Sequence, residues 1–162
     1  MDNQQKPTEH MTQEAVIRPS DIKGNTSWLA VVRCYLKCQK VMNQKLAALD
    51  LTAAQHDILM NISHQPGSSQ QQLSDRLLVV KSNISALLKK MVERGLIEQR
   101  KSDVDARSHE LYLTPTGQQK LQQSMAVQIE MVQTMTRVLS DEEIATNLNI
   151  MNRVFEALDQ LD

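Results

Sequence analysis

Between residues 69 and 113 the spacing of the apolar residues changes from the period of a helix to that of a strand. One short segment opens at Ser69 and places Leu73 and Leu77 on one side. After a tight turn, the segment Lys81 to Arg94 again has apolar residues three and four positions apart. Gly95 follows it, as glycine often does just past the end of a helix. This spacing predicts two short helices joined by a turn.

The next residues have the pattern of a β-hairpin. Residues 96–100 have strand character, and residues 109–113 place Leu111 and Leu113 on one side and Tyr112 on the other. The polar, charged segment 101–108 separates them and forms the predicted tip. Two short helices followed by a charged hairpin are typical of a winged helix-turn-helix.

Long amphipathic helices flank this region. We predict helices over 27–49, 114–139 and 140–161, and a further helix begins at Thr52 with a capping box to Gln55. The fold class is therefore mainly α with a small β-hairpin, a winged helix-turn-helix domain plus a helical region. We expect a disordered arm over 1–25, the helical region over 26–50 and 114–162, and the winged helix-turn-helix domain over 51–113.

Charge is distributed unevenly, although the net charge is only −1. Residues 76–107 contain eight basic and four acidic side chains, whereas residues 137–162 contain two basic and six acidic ones. A basic hairpin region combined with an acidic helical end favours a module that faces nucleic acid.

Several classes of protein lack support in the sequence. Cys34 and Cys38 form no secreted disulfide framework, residues 1–25 have no apolar core for a signal peptide, and no apolar run could cross a membrane. We expect a soluble cytoplasmic protein with no membrane partner. There is no glycine-rich phosphate loop or nucleophile elbow, and the four histidines are scattered. We therefore predict no enzyme activity, no cofactor and no metal site.

The order of these motifs resembles the MarR family of transcription regulators, from about Trp28 to Leu161. The resemblance is carried by residues 73–77 together with 87–100, by the Asp105-Ala-Arg107 wing tip, and by residues 113–117 at the start of the next long helix. It implies a homodimer held by the first and the last two helices, with a winged helix on each subunit. Residues 26–50 and 114–162 would then be the helical dimerisation region, and residues 51–113 the DNA-binding domain. It also implies a ligand pocket near the dimer junction.

A recognition helix beginning near Lys81 would enter the major groove with its amino end. Asn83 can bind adenine, Arg107 can enter the minor groove, and Asp105 can orient Arg107. The full set of predicted DNA contacts is Ser69, Gln71, Lys81, Ser82, Asn83, Ser85, Lys89, Lys90, Asp105 and Arg107.

The signal that controls such a regulator is less defined by the sequence. We predict a ligand-responsive repressor whose effector is a small lipophilic or phenolic molecule. The residues predicted to line its pocket are Trp28, Arg33, His56 and Met60. One alternative is redox sensing through Cys34 and Cys38, whose basic neighbours favour a thiolate. Another is a helical interaction module that binds no DNA, which would explain the long helices but not the basic hairpin.

Overall fold

The structure, a computed structural model, describes residues 18–77, 81–102 and 109–161, except for the side chains of residues 81–83. Its helices are α1 (Asn25–Leu46), α2 (Ala53–His64), α3 (Gln70–Leu77), α4 (Lys81–Glu93), α5 (Pro115–Thr136) and α6 (Asp141–Asp159). Its strands are β1 (Ser68–Ser69), β2 (Ile97–Lys101) and β3 (His109–Leu113). Within these described residues, no helix is both long enough and apolar enough to span a membrane.

The chain divides into two compact units, Met1–Leu36 and Lys37–Asp162. In the first unit, a 3-10 turn at Pro19–Asp21 precedes α1, which begins two residues before the predicted start at Ser27. Most of the predicted disordered arm, residues 1–17, lies outside the described residues. In the second unit, α1 ends at Leu46 and a 3-10 turn covers Ala47–Leu49, so the helix is shorter than predicted.

The capping box predicted at Thr52 is confirmed. Thr52 accepts a hydrogen bond from the backbone N–H of Gln55, and the Gln55 side chain accepts one from the N–H of Thr52. The same reciprocal pattern opens α3 at Ser69 and α6 at Ser140. These boxes satisfy N–H groups that have no partner within the helix, and they therefore define where each helix begins.

The sheet is larger than the predicted hairpin. β2 and β3 pair antiparallel, from Ile97 opposite Leu113 to Lys101 opposite His109. β1 pairs with the other edge of β3, which gives three strands in the order β1-β3-β2. The two serines of β1 have no alternating pattern, so only their pairing with the backbone of β3 makes them a strand.

The core of the second unit lies under the helix-turn-helix. Its members come from the end of α1, from α2, α3 and α4, from the turn after α4 and from the sheet. The fully buried side chains are Leu46, Ile58, Leu59, Ile62, Leu73, Ile84, Leu88, Met91, Leu96, Ile97 and Leu111, together with His56.

The apolar stripes predicted for the last two helices are present, but they face solvent in the single chain. α6 has no buried residue, and Leu148 and Phe155 are 61% and 48% exposed. Toward the end of α5, Ile129 and Val132 are also exposed. That helix ends at Thr136 instead of the predicted Leu139.

The end of α4, the base of the sheet and the start of α5 meet at the backbone of Leu96. Its N–H bonds to the carbonyl of Met91, and its carbonyl accepts from the N–H of Thr114 at 3.2 Å. The Thr114 hydroxyl donates to the Gly95 carbonyl at 2.6 Å and caps α5 by accepting from the N–H of Gly117. Because Gly117 has no side chain, α5 can approach the carbonyl of Leu96.

A buried histidine joins α2 to α5. His56 is 1% exposed, and its Nδ1 lies 2.8 Å from Ser124 Oγ. Ser124 donates its own proton to the Leu121 carbonyl, so Nδ1 is the donor in that contact. Nε2 lies 2.7 Å from the side-chain amide of Gln128, which can present either its oxygen or its NH2 group. Both ring nitrogens are therefore satisfied, as a buried polar group requires.

We expect Gly117→Ala to lower the free energy of unfolding by about 1–3 kcal/mol, because its β-carbon would overlap the carbonyl oxygen of Leu96. Urea denaturation measures this change. Thr116→Ala, a change at the exposed neighbour, is the control and should alter stability by less than about 0.5 kcal/mol. Equal stabilities of the two variants would contradict the close approach.

A second expectation concerns pH. Burial raises the pKa of the Asp57 carboxyl, and nearby His56 opposes this rise only in part. A raised pKa means that folding disfavours the ionised carboxylate, so Asp57 costs stability at neutral pH and this cost disappears in acid. Asp57→Asn should therefore stabilise the protein at neutral pH, with a gain that shrinks toward about pH 3. Urea midpoints across this range measure it, and a gain independent of pH would contradict the expectation.

Candidate nucleic-acid interface

The recognition helix predicted from the sequence is α4, and its polar side is open to solvent. Ile84 and Leu88 are buried against the core, whereas Ser85, Lys89 and Lys90 are exposed. This division follows from the helical period, because residues four apart share a face. The solvent-exposed side of this helix therefore carries one hydroxyl group and two ammonium groups.

A side-chain hydrogen bond that the sequence analysis missed connects α3 to α4. The amide nitrogen of Gln70 donates to Ser85 Oγ at 2.6 Å. Ser85 was predicted to contact DNA, and this bond holds its hydroxyl at the junction of the two helices. No sequence signal identifies the pair, because Gln70 and Ser85 are fifteen residues apart and belong to different helices.

The predicted contacts near α3 have partners within the protein. Ser69 caps α3, with its Oγ accepting from the N–H of Gln72 at 3.2 Å, and is half-buried. Gln71 is exposed, and its amide nitrogen donates to the Asp75 carboxylate at 2.5 Å. A phosphate contact by Gln71 would therefore compete with, or share, this bond.

Arg76 contributes to the basic count of this region but acts as a structural clamp. Its guanidinium donates to Gln65 Oε1 at 2.6 Å, to Ser68 Oγ at 3.0 Å and to Asn61 Oδ1 at 3.4 Å. These partners come from the end of α2, the residue after it and β1. Arg76 thus fixes α3 against the elements beneath it and is only half-exposed.

The wing is formed by β2 and β3, which carry the segment 103–108 between them. The predicted wing residues Asp105 and Arg107 lie outside the described residues. Lys81, Ser82 and Asn83 form the first turn of α4, but their side chains also lie outside them. The interface that the structure describes is consequently the middle of α4, the start of α3 and the base of the wing.

The residues predicted to line an effector pocket differ in exposure. Trp28 is 61% exposed and Arg33 is exposed, both in the first unit. In the second unit, Met60 is half-buried and His56 is fully buried. Because both nitrogens of His56 are already hydrogen-bonded, it could contact an effector only if the junction of α2 and α5 opened.

The two cysteines are both in the thiol form and lie in different environments. Cys34 is exposed, whereas Cys38 is half-buried and its Sγ lies 3.3 Å from Met135 Sδ on α5. This contact makes Cys38 part of the packing between the second half of α1 and α5. Among the described residues, no group of three or more histidine, cysteine, aspartate or glutamate side chains could hold a metal ion.

Comparison with known proteins agrees with this arrangement. Residues 49–108 match a model of the MarR family. An HTH-type transcriptional regulator from Bacillus cereus is 26% identical over 132 residues, which cover 81% of this chain and 88% of that protein. The HTH-type transcriptional repressor IacR from Pseudomonas putida is 24% identical over 134 residues, with 83% and 79% covered.

Solved structures with the same fold include MarR from E. coli in its apo form. It has a TM-score of 0.68 and 25% identity, and the match covers 78% of this chain and 95% of MarR. A mutant MarR complexed with operator DNA has a TM-score of 0.75 and 24% identity, with 86% and 99% covered. PcaV from Streptomyces coelicolor, in complex with its natural ligand, has a TM-score of 0.70 and 21% identity, with 90% and 99% covered.

The helix-turn-helix, the three-stranded sheet and the related regulators agree with the family match, and residues 49–108 of this chain belong to the MarR family of transcriptional regulators.

Proposed function

We propose that this protein regulates transcription as a cytoplasmic homodimer that binds a pseudopalindromic operator. The observation that carries the proposal is the solvent-exposed polar face of α4 beside a two-stranded wing. The mutant MarR of the same fold is complexed with operator DNA, which supports the same use of the fold here.

Each predicted DNA contact has a distinct task in this proposal. Lys89 and Lys90 neutralise phosphates, which contributes affinity without reading sequence. The first turn of α4 and Ser85 reach base edges in the major groove. At the wing, Arg107 enters the minor groove, and Asp105 orients its guanidinium. Ser69 and Gln71 contact the backbone at the start of α3.

The second copy of the chain would cover the apolar residues that α5 and α6 leave exposed. The α6 stripe contains Ile144, Leu148, Phe155 and Leu158, all exposed. An apolar face of this length, built on two long helices, is more than a monomer usually leaves in water. A twofold dimer places the two recognition helices about one turn of DNA apart, roughly 10 base pairs.

We further propose that a small lipophilic or phenolic effector changes DNA affinity and that the protein acts as a repressor. PcaV has a natural ligand bound, and IacR is named a repressor, which supports this class of control. The lining residues named from the sequence, Trp28, Arg33, His56 and Met60, stay a prediction. The effector can shift DNA binding only as far as its affinities for the two states differ.

Redox control through Cys34 and Cys38 is a second candidate, because the Cys34 thiol is exposed. Oxidation of an exposed thiol would add a polar group to α1. Measuring DNA affinity in peroxide and in reductant tests this candidate, and equal affinities would eliminate it.

We expect Arg107→Ala to weaken DNA binding about tenfold or more, or about 1.4 kcal/mol, because the minor-groove contact is lost. Fluorescence anisotropy at fixed salt measures the affinity, with a labelled duplex selected from a random-sequence library by the wild-type protein. Arg137→Ala removes an exposed cation at the C-terminal end of α5, outside the winged helix-turn-helix, and should change affinity less than about twofold. Unchanged affinity of Arg107→Ala would eliminate the wing contact.

We expect Phe155→Glu to convert the dimer into monomers, because a carboxylate would be buried in an apolar interface. Light scattering after size exclusion measures the mass. Asn149→Glu introduces the same charge on the other side of α6 by helical spacing and should leave the dimer intact. A monomeric wild-type protein would contradict the proposed assembly.

A further inference from the structure

The side-chain amide of Gln70 and the hydroxyl of Ser85 form a hydrogen bond between the two helices of the helix-turn-helix. Gln70 Nε2 donates to Ser85 Oγ at 2.6 Å. Gln70 is half-buried and is the first residue of α3, whereas Ser85 is exposed in the second turn of α4. The bond therefore connects the start of one helix to the solvent-exposed side of the other.

The backbone that carries Gln70 is held on both sides. Ser69, the residue before it, pairs with Glu110 of β3. Ser69 also forms the capping box with Gln72 that opens α3. On the other side, Leu73 is fully buried one turn further along the helix. The amide donor thus extends from a well-anchored part of the chain.

The backbone that carries Ser85 is anchored in the core as well. Ile84, its neighbour, and Leu88, three residues further along α4, are 2% and 1% exposed. Their burial fixes the rotation of the helix and leaves Ser85 and Lys89, one turn apart, on the side that faces solvent. Donor and acceptor therefore both extend from well-packed helices, and the bond sets the direction of the Ser85 hydroxyl relative to both.

A serine side chain on an exposed helix surface can occupy more than one staggered rotamer, and each rotamer points the hydroxyl in a different direction. The bond from Gln70 favours the rotamer observed here. A hydroxyl has two acceptor lone pairs and one proton, so it can accept this bond and still contact a base. Since the bond is exposed and joins neutral groups, water can replace it, and it contributes little to stability by itself.

We propose that Gln70 is a positioning residue that holds the Ser85 hydroxyl in the direction needed to contact a base edge in the major groove. Because base edges are distinguished by hydrogen-bonding groups placed in the right direction, Gln70 increases specificity at the operator position that Ser85 contacts. Fixing the rotamer before DNA binds also lowers the entropy lost on binding. This inference rests on the proposed function, in which Ser85 reaches a base edge.

The test uses the full-length protein in the anisotropy assay described above, at fixed salt. The DNA set consists of the duplex selected by the wild type and of duplexes in which one base pair at a time is changed. Discrimination at a position is the ratio of the two affinities. Ser85→Ala identifies the position that Ser85 contacts, because discrimination falls there and is unchanged elsewhere.

Gln70→Met removes the amide but keeps an unbranched side chain of similar length, so the packing of this half-buried residue is retained. We expect it to lower discrimination about threefold at the position identified with Ser85→Ala, because the hydroxyl then spreads over three staggered rotamers. The urea midpoint should equal that of the wild type. Unchanged discrimination would overturn the proposal. Equal weakening of binding to every duplex would also overturn it, since that result indicates a backbone contact or a displaced helix.

Gln71→Met is the matched control, because it removes the same group from the next residue. The amide of Gln71 bonds to Asp75 within α3 and not to α4. As a proposed contact to the DNA backbone, Gln71 should affect all duplexes by a similar factor and leave discrimination unchanged. A loss of discrimination as large as that of Gln70→Met would mean that any change at the start of α3 disturbs recognition, and would overturn the proposal.

Combining Gln70→Met with Ser85→Ala identifies the route of the effect. If Gln70 acts through Ser85, its loss should change discrimination in the Ser85→Ala protein less than about 1.5-fold. An equal loss of discrimination in both backgrounds would show that Gln70 acts on DNA by another route, and would overturn the proposal.

The same experiment separates failure of this inference from failure of the proposed function. If the wild type selects a duplex but Ser85→Ala alters discrimination at no position, the positioning role of Gln70 is overturned while DNA binding stands. If the wild type selects no duplex from the library, the proposed function is overturned, and the positioning role with it.

Discussion

The close approach of α5 to the backbone of Leu96 is the constraint on which most of the second unit depends. At this point the end of α4, the residue before β2 and the capped start of α5 share one set of hydrogen bonds. The approach requires a residue without a β-carbon at Gly117 and a hydroxyl at Thr114. Since atoms in a close-packed interior have no empty space to move into, a shift of α5 would be transmitted to both α4 and the wing.

His56 provides a second attachment of α5, of a different kind and to a different helix, α2. The contact at Leu96 is steric and lies at the start of α5, whereas the His56 contacts with Ser124 and Gln128 are polar and lie about two turns further along. Two separated attachments prevent α5 from pivoting freely on α2. A helix that lies partly in the proposed dimer surface is thus attached both to α2 and to the turn that follows α4.

The basic side chains of the winged domain fall into two groups with different physical roles. Arg76 and Arg100 are engaged by acceptors, carboxylates or an aromatic ring within the protein, and they hold elements together. Lys89 and Lys90 are exposed on α4 and can neutralise phosphates. A count of charges along the sequence cannot separate these groups, because the distinction depends on what each guanidinium or ammonium group contacts after folding.

The sequence by itself determined which segments are helices and where three of them begin, because capping boxes act locally and the apolar period defines one apolar side of each helix. It also determined the order of helix-turn-helix and wing that identifies the family. Tertiary structure alone decided that Ser68 and Ser69 form a strand, that Gln70 bonds to Ser85, and that His56 is a buried link between helices. These contacts join residues far apart in the chain, so their partners depend on how the elements pack and leave no periodic signal in the sequence.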